Sequence, residues 1–509
     1  MTNAIDQAVA AAVANAKAES EADFSAAQAP AGRAPAKPLS IEKVNILSDT
    51  NKNYTLRPYQ VDDLIFHINN PRSMNLSDPS TGKTPPVCCY IQYLWEYQNT
   101  KTAWVMPKSL MRKNKAELLR FTDFQDDDIA ILDGQPKKIE ELINNPKIKV
   151  FILTADRFGK IWQRLGVNAM ICDEFHMYYK GNDSQRTQNM YAAMKKIKYF
   201  LVMTGTLIDG RLDSAYPAIH VIEPRHYPSH KAFLNYHAVY DLLTGKIVGW
   251  TNHDKLGRIF MKHAVRHTIK EVYGDQKFYI IKELCDMSAK QRKAYKEFEE
   301  QGIIELEEAF ITGLAGANVM RCRQIMAHPE KITIKREDKP PVAYCITDET
   351  PGKDARLLIH LEDHLNKKEP LLIFAALVPE QERIVKLCKS AGLRTGLING
   401  SVSGPKRGEL DQTFQNDELD VLVASPATAS VGFNWNHVNH VIFVSLDYMA
   451  SNFRQAYQRA LRGIKDTPLQ ITVLEYEDSM DQRIFEIVHR KSADVHKIDE
   501  SYGVLEISA

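Results

Sequence analysis

Two separate blocks of short apolar runs, each alternating with amphipathic stretches, govern what this 509-residue chain can fold into. In the first block, from Leu56 to about Pro224, the runs are Ala103 to Met106, Ile129 to Leu132, Val150 to Leu153, Ala169 to Cys172 and Phe200 to Met203. In the second, from about Pro370 to Glu475, they are Leu371 to Phe374, Val421 to Ala424, Val441 to Val444 and Ile471 to Leu474. Short continuous apolar runs suit strands covered on both faces, as in parallel sheets flanked by helices. Val87, Tyr90, Ile91 and Leu94 fall on one helical face, and the stretch carrying Ile384, Leu387, Cys388 and Ala391 stops at Gly392. A single core stops growing at about 250 to 300 residues, so an α/β fold with two parallel-sheet domains in tandem is expected. The boundaries read as an Ala-rich, disordered tail over 1–40, a first α/β domain over 41–224, a charged, mostly helical insertion over 225–350 and a second α/β domain over 351–509.

Composition excludes several classes. With 65 basic and 64 acidic residues the net charge is +1, so any polyanion must be held by a local groove and not by a uniformly basic coat. The seven cysteines include no C-x-x-C pair, which argues for a reduced protein without structural zinc. No apolar stretch approaches the ~18 residues that span a bilayer, so a cytoplasmic location and no membrane partner are expected. The Ala-rich tail lacks large apolar side chains to bury.

Three strings carry the chemistry. Ser80-Thr81-Gly82-Lys83-Thr84 stands at the start of the Val87 helix, where free amides and the helix dipole favour phosphate oxygens. Lys83 would reach the β and γ phosphates and Thr84 would bind Mg²⁺. Ser77 occupies the position of the first glycine in the full phosphate-loop pattern, and Pro85 and Pro86 remove amides from the first helical turn. Asp173 and Glu174 follow the run Ala169 to Cys172 and so emerge at the C-terminal edge of a strand, where open α/β sheets bind ligands. A hard carboxylate oxygen suits Asp173 as a magnesium ligand, and Glu174 is placed to orient or deprotonate water. An isolated Asp-Glu pair also reads as a solvated helix cap; its pairing with Lys83 favours the chemical reading. In the third string, Gln455 to Arg462, Arg459 and Arg462 lie three apart on one helix face, as fingers for a triphosphate or as a solvated face with acidic partners.

In that order the strings resemble a superfamily 2 helicase, and more narrowly a Swi/Snf-type DNA translocase ATPase. Leu56-Arg57-Pro58-Tyr59-Gln60 is similar to the family's adenine-reading segment, which implies a Gln60 contact to adenine. Met203-Thr204-Gly205-Thr206 resembles its coupling motif, and Arg323 to Pro329 a segment characteristic of the Swi/Snf branch. Asn399-Gly400-Ser401 and the stretch Ser425 to Asn434 match motifs near the nucleic-acid groove and the interdomain cleft. Leu207, Thr428, Ala429, Ser430 and the Leu461 to Lys465 ending depart from the pattern and point to a compact bacterial or bacteriophage form.

The resemblance implies two RecA-like domains with ATP and Mg²⁺ between them. Its nucleotide-binding set is Gln60, Ser80, Thr81, Gly82, Lys83, Thr84 and Gly432, and its catalytic set Lys83, Asp173, Glu174, Gln455, Arg459 and Arg462. Thr84 and Asp173 are the metal ligands, and Thr204 and Thr206 the coupling hydroxyls. Lys108, Ser109, Thr154, Ser401, Ser425 and Asn434 are expected contacts to nucleic acid, with duplex DNA ahead of single-stranded DNA and RNA behind both. Two other readings stay open: a strand-separating DNA or RNA helicase of the same superfamily, and a slow or inactive nucleotide-dependent scaffold.

Overall fold

The computed structural model describes residues 55–205, 207–208, 211–241, 243–274, 277–312, 317–330, 332–336, 339–429, 432–447, 450–461, 465 and 467–486. The predicted tail, Thr206 and Arg462 lie outside these residues. Two parallel sheets organise the described residues, as the apolar runs require. The first contains β1 (Arg72–Asn75), β2 (Thr102–Val105), β3 (Ile129–Ile131), β4 (Val150–Leu153), β5 (Ala169–Asp173) and β6 (Tyr199–Met203). A small antiparallel hairpin, β7 (Ala238–Tyr240) with β8 (Ile247–Trp250), precedes β9 (Ala264–Val265), which closes the first sheet in the order β3-β4-β2-β5-β6-β1-β9.

The second sheet takes β10 (Phe278–Cys285) at its edge. A two-stranded β11 (Ile332–Arg336) and β12 (Lys339–Tyr344) follows, and then β13 (Leu371–Phe374), β14 (Thr395–Ile398), β15 (Val421–Ala424), β16 (His440–Phe443) and β17 (Leu469–Tyr476). Its order is β10-β17-β16-β13-β15-β14, again all parallel. Each sheet has its own apolar core, built from the buried strand residues and the helices laid over them.

The stretch 225–350, expected as one helical insertion, is instead shared between the two sheets. Ala264 and Val265 pair with Met74 and Asn75, so the first lobe runs on to Tyr273. Phe278 to Cys285 pairs with β17, and Tyr295, Val319, Cys322, Ile325 and Met326 from the following helices enter the second core. The physical reason is that β9 is only two residues long, while β10 is an edge strand, mostly exposed or half-buried, whose apolar start Phe278 to Ile281 runs into Lys282 and Glu283. The helix Thr84–Gln98 also differs from expectation. Every residue from Pro85 to Leu94 is buried, all round the helix and not along one face, because it lies between the helices Pro58–Asn69 and Met111–Phe121. Among the described residues no helix is long and apolar enough to cross a membrane.

Three buried histidines make the fold sensitive to acid. His67 bonds Ser73 Oγ at 2.9 Å, His237 bonds Tyr227 Oη at 2.6 Å, and His440 bonds both His364 at 2.7 Å and Thr472 Oγ1 at 2.8 Å. Burial pushes them from 6.5 down to about 3, about 4 and about 3 respectively. They stay neutral when folded but take up protons below about pH 6.5 when unfolded, so stability is lost as pH falls. Each contributes roughly 2 kcal/mol to that loss at pH 5. Urea midpoints should therefore drop steadily between pH 7 and pH 5, and His440→Gln should make the dependence shallower; an unchanged midpoint would contradict the assignment.

Candidate active site between the two lobes

Strand register brings the first-lobe motifs to one level. Asn75 at the end of β1 pairs with Met203 of β6, and Met203 pairs with Asp173 of β5. The loops that continue from these three residues therefore leave the C-terminal edge of the sheet side by side. Thr204 is fixed there by its amide on the Asn75 carbonyl at 3.1 Å.

The phosphate loop is shaped by donors that grip its carbonyls. Tyr273 Oη donates to Ser80 O at 2.9 Å, Tyr59 Oη to Thr81 O, and Gln60 Nε2 to Gly82 O at 2.8 Å. In a trans peptide the N–H points opposite to the C=O, so gripping Thr81 O and Gly82 O turns the Gly82 and Lys83 amides the other way. Neither amide has a hydrogen-bond partner among the described residues, and Ser80 Oγ is buried without one. Gly82 adopts φ +83°, and a Cβ there would lie 2.6 Å from Gln60 Nε2, so glycine is required on both counts. Lys83 folds back over its own loop and donates to Ser77 O at 2.6 Å and Asp78 O at 3.0 Å. Burial pushes its ammonium down, against the raising pull of Glu174, Asp173 and Asp78. Thr84 opens the helix directly behind it.

Gln60, expected on adenine, is 1% exposed; one of its amide N–H groups goes to Gly82 O and its oxygen accepts from Arg57 N at 2.9 Å. Here it braces the loop.

Asp173 and Glu174 form a half-buried acid pair. Asn114 Nδ2 donates to Asp173 Oδ2 at 3.2 Å and the Glu174 amide to Oδ1 at 3.0 Å. Burial, and then the Glu174 charge, push the Asp173 carboxyl up to about 6, with Lys83 pulling the other way. Glu174 adopts φ +50°, a left-handed conformation costly for a side chain other than glycine, and its Oε2 is buried with no hydrogen-bond partner. His176 Nδ1 stands 3.6 Å from that oxygen and bonds Thr204 Oγ1 at 2.8 Å, linking the acid to the loop after β6.

From the second lobe, Arg459 lies within electrostatic reach of Glu174, Asp173 and Lys83. It is 3% exposed, and burial lowers its pKa to about 10. Its Nε donates to Ala429 O at 3.1 Å, and the neighbouring Gln455 is buried as well. Gly432, at φ +89°, presents its carbonyl to Lys113 Nζ at 2.8 Å. Arg454 reaches across to Asp78 Oδ1 at 3.4 Å.

The expected nucleic-acid residues follow strand ends of their own sheets. Lys108 and Ser109 come just after β2, Thr154 after β4, Ser401 after β14 and Ser425 after β15. Lys108 pairs with Asp133 at 2.9 Å, Thr154 caps a helix by accepting from Arg157 N, and the Ser401 hydroxyl donates to Asn399 at 2.6 Å. Ser425 O accepts from the Thr428 and Ala429 amides, and Asn434 is exposed.

Comparison with known proteins decides the family. The SNF2-related domain matches residues 64–333, and the helicase conserved C-terminal domain matches residues 353–463. The chain belongs to the SNF2-related family. It is 22% identical over 490 residues to the ATP-dependent helicase brm of Drosophila melanogaster, covering 87% of this chain and 29% of that protein. It is also 22% identical over 450 residues to the chromodomain-helicase-DNA-binding protein 1-like of Danio rerio, covering 84% and 42%. The chain thus spans less than half the length of these relatives. A solved Sulfolobus solfataricus SWI2/SNF2 ATPase core in complex with dsDNA is 18% identical with a TM-score of 0.39, covering 90% of this chain and 98% of that one.

Several residues of this SNF2-related site carry no motif signature. Asp78 is the hub of the loop: its carbonyl takes Lys83 and Thr81 Oγ1, and its carboxylate takes the Ile269 amide and Arg454. Asn114 and Tyr273 arrive from distant segments, so only the fold reveals them. Gln60→Ala should raise the KM for ATP and for GTP together, by about tenfold each, because it loosens a phosphate loop and not a base pocket. Steady-state kinetics with both nucleotides checks this; a loss confined to ATP would restore the adenine role.

Proposed function

We propose that the chain hydrolyses ATP with Mg²⁺ in the cleft between its lobes and couples that cycle to movement along duplex DNA. The observation that carries the reading is that Arg459, buried on the other lobe, lies within electrostatic reach of Asp173, Glu174 and Lys83. Such a constellation suits charge developing on a transferring phosphoryl group. The acid pair fits a divalent cation: Asp173 is a half-buried carboxyl pushed up by desolvation and then by its neighbour's charge, and Glu174 has an oxygen with no hydrogen-bond partner. Among the described residues no cluster of three His, Cys, Asp or Glu side chains forms a cage, which suits a metal held by Asp173, the Thr84 hydroxyl and the substrate's own phosphates. When bound, the cation would neutralise charge on the β and γ phosphates.

The protein groups act in sequence. An entering phosphate draws Lys83 Nζ off the Ser77 and Asp78 carbonyls, while the Gly82 and Lys83 amides take phosphate oxygens. Glu174 Oε2 accepts a proton from the attacking water, and His176 carries that change of charge to Thr204. Arg459 meets the charge only while the lobes are together, so hydrolysis and lobe position are linked. Loops after β2, β4, β14 and β15 offer backbone grip on both lobes, which calls for low sequence specificity and strong salt dependence.

Phosphate release measured with duplex DNA, single-stranded DNA and RNA side by side should be stimulated most by duplex. Third-strand displacement from a triplex, without unwinding of a forked duplex, is the expected motor signature; unwinding would favour a strand-separating helicase, and no turnover with any polymer would favour a scaffold. Lys83→Ala should abolish turnover. Arg459→Ala should leave ATP binding nearly intact while lowering kcat on the order of 10³-fold; normal hydrolysis in that variant would sink the finger role.

A further inference from the structure

Lys113 lies in none of the motifs, yet it makes one of the contacts between the lobes. It is an exposed residue on the helix Met111–Phe121, and its Nζ donates to Gly432 O at 2.8 Å. The adjacent Asn114 is buried and holds Asp173 Oδ2. One helix of the first lobe therefore grips the metal-site acid with one residue and the second lobe with the next.

On the second lobe, Arg459 holds a carbonyl close in sequence to Gly432. Arg459 Nε donates to Ala429 O at 3.1 Å, three positions before the carbonyl that takes Lys113. Gly432 is seated tightly: a Cβ would lie 2.9 Å from Leu110 Cδ2, and φ is +89°. Lys108, the cation expected on nucleic acid from this region, is turned instead to Asp133.

We propose that Lys113 is a positioning residue, which pins Gly432, and with it the second lobe, to the first lobe so that Arg459 meets the acid pair in register. This rests on the ATPase reading of the cleft. Lys113 acts through Gly432. The Arg454–Asp78 pair ties the lobes at a second point, so loss of Lys113 loosens the alignment without abolishing it.

Steady-state ATP hydrolysis with and without duplex DNA tests this on the full chain, using Lys113→Ala, Lys113→Arg, Gly432→Ala and Lys83→Ala. Lys113→Ala should lower kcat about fivefold in both conditions, with the KM for ATP changed less than about twofold. Lys113→Arg should recover most of the rate, since it restores a donor of similar reach, and Gly432→Ala should fall at least as far as Lys113→Ala. The salt slope of DNA binding should be unchanged in Lys113→Ala. A slope reduced by about one, with the loss confined to DNA affinity, would make Lys113 a phosphate contact and overturn the proposal. Normal kcat in Lys113→Ala beside an inactive Lys83→Ala would overturn it alone; turnover in Lys83→Ala would remove the ATPase reading beneath it.

Discussion

Lys83, Asp173, Glu174 and Arg459 are largely withdrawn from water, and in such surroundings a lone charge is too costly to keep. They persist because positive and negative groups lie within reach of one another, two acids at the end of β5 with a lysine from the phosphate loop and an arginine from the second lobe. Much of the rest follows from this balance. The sheets must present their C-terminal edges to the same space, the loops must be held rigid, and the two lobes must stay near enough for the arginine to complete the set.

The rigidity comes from outside the loop. Tyr59 and Gln60 lie on one helix and Tyr273 on another, so the grip on three successive carbonyls is assembled from both ends of the first lobe. His267 adds to it, its amide on Ser77 Oγ and its ring on Asp63 at 2.8 Å. A loop held this way needs little reorganisation when an anion arrives, which is where preorganised sites gain over water.

Much of the fold was legible because parallel strands leave continuous apolar runs. The strand that carries the phosphate loop was not, since β1 reads Arg72-Ser73-Met74-Asn75. Its polar groups are tolerated because Arg72 donates to the carbonyls of Val221, Met194 and Ile197, and Ser73 pairs with His67. The site was readable where chemistry dictates residue type, at Lys83, Asp173, Glu174 and Arg459. It was unreadable where the role depends on which segment folds alongside, as for Asn114, Asp78 and Lys113. Gln60 shows the intermediate case: a side-chain amide suits adenine, but it suits a buried carbonyl equally, and only the surroundings choose.

Among the described residues the chain passes from one sheet to the other once, between Tyr273, on the Ser80 carbonyl, and Phe278, the first residue of β10. Fully extended, that span reaches at most roughly 18 Å. The lobes are therefore leashed at a point beside the phosphate loop. At that point chain length alone bounds how far they can part, which keeps the start of β10 a neighbour of the phosphate loop.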